Sequence, residues 1–200
     1  MKPIAAFLCA LTAISLPACE AESVSDGDFA ISYRGSAQNR ANGNLKIYIG
    51  ASTADPGDVV WDIVDDDVST AGAGAAGQSQ LLVSVDDNKI FDANGSVRCE
   101  LFPMGSDGDM LVEELRDGST GDVLFTVRGK RVYYGSQPVG GSPNASDLAF
   151  TFKGAQVFEG KPSDGVVLVT ASEKIRKASE MRKLTIAALI DGACGAPGLP

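Results

Sequence analysis

VLFTVRGKRVYYG (123–135) and LAFTFKGAQVFEG (148–160) are the same sentence written twice. Each copy is an apolar run, a corner holding Gly, and a second alternating run ending in Gly. In the first copy Val123, Phe125 and Val127 point one way and Leu124 and Thr126 the other, with β-branched and aromatic residues dominant. Gly129 and Gly154 occupy the corner, where a positive φ costs glycine little. The unit is a β-hairpin, and a repeated hairpin decides the fold.

Numbering the columns of the unit 1 to 13 brings out further copies. LLVSVDDNKIFDA (81–93) and VVWDIVDDDVSTA (59–71) fit upstream, and VVLVTASEKIRKA (166–178) fits downstream. A first unit is split, FAISYRG (29–35) supplying the opening run and KIYIG (46–50) the closing run, with residues 36–44 inserted at the tip. Column three reads Ile31, Trp61, Val83, Phe125, Phe150, Leu168, and column ten Ile47, Val68, Ile90, Val132, Val157, Ile175; both are expected in the core. Column nine is always polar: Lys46, Asp67, Lys89, Arg131, Gln156, Lys174. Column thirteen is always Gly or Ala, which predicts a tight bend or close backbone approach between hairpins.

Between units, residues 71–80 and 136–147 read as loops. Asn94-Gly95 predicts that a strand at Val97-Arg98-Cys99 pairs back at once, with Met110–Leu115 beside it as a degenerate unit. The last stretch changes period. Ser179 is placed to cap a helix over Glu180–Asp191 with Gly192 as its stop, and the alternative is a buried strand over Leu184–Ile190. Gly195–Pro200 reads as a frayed tail. Hairpins in series must hide their edges, so the expected fold class is all-β, the repeats closing into one prism- or barrel-like domain with a short C-terminal helix. The alternating units resemble the short hairpin repeats of four-fold β-flower domains, a likeness of architecture that implies no function.

The N-terminus is read separately. Residues 1–18 carry Lys2, an apolar run from Ile4 to Leu16, and then Pro17 and Ala18 before Cys19. The run is too short to span a membrane. Leu16-Pro17-Ala18-Cys19 resembles the lipobox of bacterial lipoprotein signal peptides, with Pro17 where that family usually has a small residue. The resemblance implies cleavage before Cys19, lipid on Cys19, and anchoring at the envelope; Glu20 in place of Asp favours the outer membrane. Ordinary cleavage, giving a soluble secreted or periplasmic protein, is the alternative. Residues 19–28 then form an acidic tether, 29–195 the hairpin domain and 196–200 the tail.

Cys9 leaves with the leader, so Cys99 and Cys194 remain as a pair. In an oxidising compartment a disulfide is expected, against two buried thiols.

Several chemistries are excluded. The chain has no His, which removes Ser-His-Asp and Cys-His catalysis and His-ligated metal. No phosphate-binding glycine fingerprint leads a strand into a helix, so no nucleotide cofactor is expected. The formal charge of −9 argues against nucleic acid as a partner. Asp65-Asp66-Asp67 and Asp86-Asp87 form either an acidic rim able to hold Ca²⁺ or simply turns. Lys174, Arg176, Lys177, Arg182 and Lys183 form a basic face, read mainly as solvated. The column-eleven aromatics Tyr48, Phe91, Tyr133 and Phe158 either pack between hairpins or line a glycan-binding surface. The sequence therefore points to a non-catalytic, lipid-anchored envelope protein with a membrane, an envelope protein or a glycan as partner and no cofactor. The alternative is a carboxylate-dependent hydrolase or glycan-binding module on the same scaffold.

Overall fold

The structure, a computed structural model, describes residues 45–54, 58–71, 79–108, 110–172 and 179–199. It contains strands β1 (Leu45–Ile49), β2 (Val59–Val64), β3 (Asp67–Thr70), β4 (Leu81–Asp86), β5 (Lys89–Asp92), β6 (Val97–Asp107), β7 (Met110–Asp117), β8 (Val123–Arg128), β9 (Arg131–Tyr134), β10 (Leu148–Lys153), β11 (Gln156–Glu159) and β12 (Val167–Ala171). One helix follows, α1 (Glu180–Asp191). All twelve strands pair antiparallel with their chain neighbours, and β12 pairs with β1, so the sheet closes into a barrel. No edge of it is left unpaired.

The barrel consists of six equivalent hairpins. In β2–β3, β4–β5, β8–β9 and β10–β11, column five faces column ten: Ile63–Val68, Val85–Ile90, Val127–Val132 and Phe152–Val157. The corner residues Asp65, Asp87, Gly129 and Gly154 all have positive φ, from 52° to 68°. Asp reaches this region more readily than most residues. β6–β7 obeys the same rule, Leu101 facing Leu115, with Phe102–Glu114 inserted as an extension at the tip. The sixth hairpin is assembled from the two ends of the barrel: Ala171 of β12 faces Ile47 of β1.

This composite unit corrects two sequence expectations. The proposed partner of KIYIG, residues 29–35, lies outside the described residues, and both edges of β1 are taken by β2 and β12. In the downstream unit the closing run 174–178 also lies outside them, and the opening run is shifted by one. Val169, not Leu168, stands in column three, fully buried. An unbroken apolar run from Val166 to Val169 carries no alternation to fix its phase.

Column three then reads Trp61, Val83, Cys99, Phe125, Phe150 and Val169, and column ten reads Ile47, Val68, Ile90, Leu115, Val132 and Val157; all twelve are buried. At roughly 1.5–3 kcal/mol for each large apolar side chain, these two inward rows form the main store of burial energy.

Closure has a local cause. At each of the six contacts between hairpins the register slips once, and the extra residue is always column two: Val60, Leu82, Arg98, Leu124, Ala149 and Leu168. A bulge bends and twists its strand, and six at equal spacing curl the sheet into a ring. In five hairpins the column-two carbonyl accepts the column-thirteen N–H, at 2.7–3.2 Å. At Gly118 that approach leaves no room for a side chain, since a Cβ would stand 3.1 Å from the Arg98 oxygen; Gly50, Gly135 and Gly160 instead take positive φ, from 62° to 74°, which glycine adopts without strain.

α1 fills the barrel. Ser179 accepts from the Arg182 N–H and Gly192 closes the helix at φ 78°, as the sequence predicts. Its N-terminal turn bonds two hairpins three places apart in a ring of six: Arg182 Nη2 donates to the Asp65 carbonyl (2.8 Å) and Lys183 Nζ to the Gly129 carbonyl (3.0 Å). At the far end Tyr134 Oη donates to Asp191 (3.0 Å), and Cys194 is disulfide-bonded to Cys99 of β6. Leu184, Ile186, Ala187, Ala188 and Leu189 are all buried, and a helix buried all round is one surrounded by protein.

Two further expectations change. Lys183 is not part of a solvated face but buried, held by Gly129 and by Glu180 (3.2 Å); Lys174, Arg176 and Lys177 lie outside the described residues. The tail is not frayed through its described length, since Ala196 joins the core and the Leu199 N–H donates to the Ile190 carbonyl.

Candidate binding groove on the barrel wall

Because α1 occupies the lumen, any contact made by the barrel is made on its outer wall or rims. The column-eleven aromatics stand on that wall. Tyr48 faces Thr170, Phe91 faces Ser84, Tyr133 faces Thr126 and Phe158 faces Thr151. These pairs stabilise neighbouring strands. Tyr133 is buried and the other three are half-buried. The four are dealt to different hairpins around the ring and do not converge. Beneath three of them lies a repeated hydrogen bond: the column-four hydroxyls of Thr126, Thr151 and Thr170 donate to the column-thirteen carbonyls of Gly135, Gly160 and Gly50, each at 2.6 Å.

The acidic corners come together at one rim. Asp65, Asp66 and Asp87 border a depression of about 50 Å³ closed by Ser179, Met181 and Arg182 of the helix start. Among the described residues no group of three or more carboxylate or thiol ligands is arranged to hold a metal. The turn reading accounts for Asp65 and Asp87, which take the positive-φ corner positions. Cys19 lies outside the described residues.

A larger groove, of about 470 Å³, lies where the tip extension of β6–β7 meets the β8–β9 corner. It is lined by Met110, Arg128, Gly129, Lys130, Arg131, Tyr133 and Pro143. Its outer lip is the segment 136–147, which folds back along the wall instead of taking the shortest path to β10. Several bonds fix that path. Ser136 Oγ donates to Glu114 (2.5 Å), Gln137 Nε2 donates to Asp147 (3.1 Å), and the Asn144 N–H donates to Gln137 Oε1 (2.9 Å). Asn144 also caps the short 3-10 turn Ala145–Asp147. Arg128 ties the lip to the extension, donating to the Gly141 carbonyl (3.0 Å) and forming an ion pair with Asp107. Met110 sits over the corner, its sulfur 3.2 Å from where a Cβ on Gly129 would stand.

No family model, curated protein or solved structure matches this chain.

The groove brings three cations to one place on a chain of net charge −9. Arg128 is buried and committed to Asp107 and Gly141, while Lys130 and Arg131 are exposed with no ion-pair partner among the described residues. The walls between them are the Met110 thioether, the Tyr133 ring and the Pro143 ring. Nearby, Glu114 is buried but saturated by two hydrogen bonds from Arg116 (2.8 and 3.1 Å) and one from Ser136. Arg116 in turn stacks over the Phe102 ring at 4.5 Å. Of the candidate aromatics only Tyr133 touches the groove. Sequence reasoning missed the site because its residues come from three segments, around 110, 128–133 and 143.

At the opposite rim Tyr134 packs its ring against Phe125 (5.6 Å) and Phe150 (6.2 Å). Burial, and then the neighbouring Asp191 carboxylate, push its phenol up to about 12. Asp117 is drawn down to about 2, first by the Ser119 hydroxyl and then by the Thr120 and Ser119 N–H groups.

Proposed function

We propose that the chain is a lipid-anchored envelope protein that acts by binding or assembly and has no catalytic centre of its own. The observation that carries the binding part is the filled lumen: α1 and the inward columns leave the wall and rims as the working surface. Two features support the envelope part. Leu16-Pro17-Ala18-Cys19 offers a lipidation site, and the Cys99–Cys194 disulfide is compatible with an oxidising compartment. Among the described residues no helix is long and apolar enough to cross a membrane, and two or more acyl chains on Cys19 would hold the protein without one.

A hydrolase on this scaffold would need two acids facing one cleft. The depression lined by Asp65, Asp66 and Asp87 gathers acids but offers only about 50 Å³ and no column-eleven ring, and the groove of about 470 Å³ is lined by no acid. The consecutive acids Glu113 and Glu114 face opposite sides of β7, opposite Val127 and Thr126 respectively. Glycan binding remains a second reading, favoured by the half-buried rings of Tyr48 and Phe158 on adjacent hairpins.

The test is metabolic labelling with an alkyne fatty acid followed by membrane fractionation, with Cys19→Ser alongside. Labelled protein in the outer-membrane fraction, and an unlabelled soluble Cys19→Ser form, are expected. Unlabelled wild-type protein that partitions like Cys19→Ser would overturn the anchor.

A further inference from the structure

We propose that the groove between the β6–β7 extension and the β8–β9 corner binds an amphiphilic anion, a molecule with one carboxylate or phosphate head and an apolar chain. The inference rests on the binding role proposed above and is independent of the lipid anchor. Three observations lead to it.

First, the volume of about 470 Å³ lies in the range of small-molecule sites. Second, the charges are unevenly committed. Arg128 is neutralised by Asp107 and serves as wall, whereas Lys130 and Arg131 project beside it with no ion-pair partner among the described residues. These two exposed cations at one lip define where an anionic head sits. Third, the remainder of the lining is apolar and soft. Met110 is flexible and polarisable, suited to an alkyl chain of no fixed shape, and Pro143 closes the other side. Tyr133 is only 3% exposed, so it offers an edge of floor rather than a stacking face; a sugar ring would find no platform there. The apolar side chains of Met104 on the extension and Val139 on the lip are also exposed, Val139 lying against Gly105.

The lip is held in place by the same residue that walls the groove. Arg128 bonds Gly141 on one side and Asp107 on the other, so extension, corner and lip form one frame before any ligand arrives. Pre-organisation of this kind lowers the ordering cost of binding.

The test uses soluble Cys19→Ser protein, so that a failed anchor and a failed groove are separate results. Titration calorimetry compares decanoate with butyrate, which keeps the head, and with decyl glucoside, which keeps the chain. Saturable decanoate binding is expected, at least tenfold tighter than either control, and weakened at least tenfold in Lys130→Gln/Arg131→Gln with the melting temperature unchanged. Met110→Ser should weaken decanoate and leave butyrate unaffected. Absence of saturable decanoate binding, equal binding by the Lys130→Gln/Arg131→Gln protein, butyrate binding as tightly as decanoate, or a hexaglutamate peptide binding more tightly than decanoate would each overturn the proposal.

Discussion

The three threonine hydroxyls that cap Gly135, Gly160 and Gly50 offer a direct test of the composite hairpin. Thr126 and Thr151 bond residues nine positions away, while Thr170 bonds Gly50 at a separation of 120, yet all three bonds measure 2.6 Å and all three hydroxyl-bearing residues are buried. Replacing each in turn by Val keeps the shape and removes the donor. The lost bond is worth about 0.5–1.5 kcal/mol net, and stranding a part-buried carbonyl adds to it, so each variant should lose about 1–2 kcal/mol. With a urea m-value of about 2 kcal/mol/M, the midpoint falls by about 0.5–1 M. Thr→Ser at the same positions keeps the hydroxyl and should recover most of the loss. The equilibrium cost depends on the folded surroundings and should be alike at all three sites. Stopped-flow refolding should separate them: a contact closing a 120-residue loop forms late, so Thr170→Val should act mainly by accelerating unfolding. A Thr170→Val cost below half the mean of the other two would refute the idea that β12 and β1 form a sixth equivalent unit.

Removing the disulfide by Cys99→Ala/Cys194→Ala opens a loop with a sequence separation of 95; the chain-entropy model gives about 4.7 kcal/mol, read as a lower urea midpoint than that of the oxidised protein. Reductant should shift the wild type similarly and leave the double variant unmoved. Truncating Leu184 or Ile186 of α1 to Ala should cost about 2–5 kcal/mol, measured by thermal melting, because both side chains are fully enclosed by the barrel. Tyr134 contributes stability that is fully present below pH 10 and is lost as pH rises through about 12, so Tyr134→Phe should flatten the alkaline limb of a stability–pH curve over that window. Asp117 works in the other direction: its contribution holds above pH 4 and is lost as pH falls through about 2, a dependence that Asp117→Asn should remove.

Much of this architecture is legible in the chain. Columns three and ten announce the core wherever a hairpin alternates cleanly, as around Trp61, Val83, Phe125 and Phe150, and Ser179 and Gly192 mark both ends of α1. The reading slips where local pattern carries no phase. Val166–Val169 is apolar throughout, so its register is set by pairing with β1, a partner some 120 residues distant that no window can see. β6–β7 reads as degenerate because Phe102–Glu114 interrupts the spacing between columns five and ten, although Cys99 and Gly118 still keep columns three and thirteen. Lys183 is buried against its type because the Gly129 carbonyl and Glu180 meet it, a tertiary event with no sequence signature. The groove is harder still, since its lip is a segment whose composition says only loop.

The pairing of Ile49 with Val169 also sets a clock. Whether the chain emerges N-terminus first from the ribosome or from an export channel, about 120 residues separate those two positions, about 6–24 s at a synthesis rate of about 5–20 residues per second. For that interval β1 has been made and its second neighbour has not. The nascent sheet is then a growing open ribbon with a sticky margin at each side, a substrate for holding chaperones or for a neighbouring nascent copy. A circular permutant that joins the segment after α1 directly to Leu45 and opens the chain at another corner would make β12 before β1 with only residues 172–200 and the joint between them, and would trade that waiting time for a new one elsewhere in the ring.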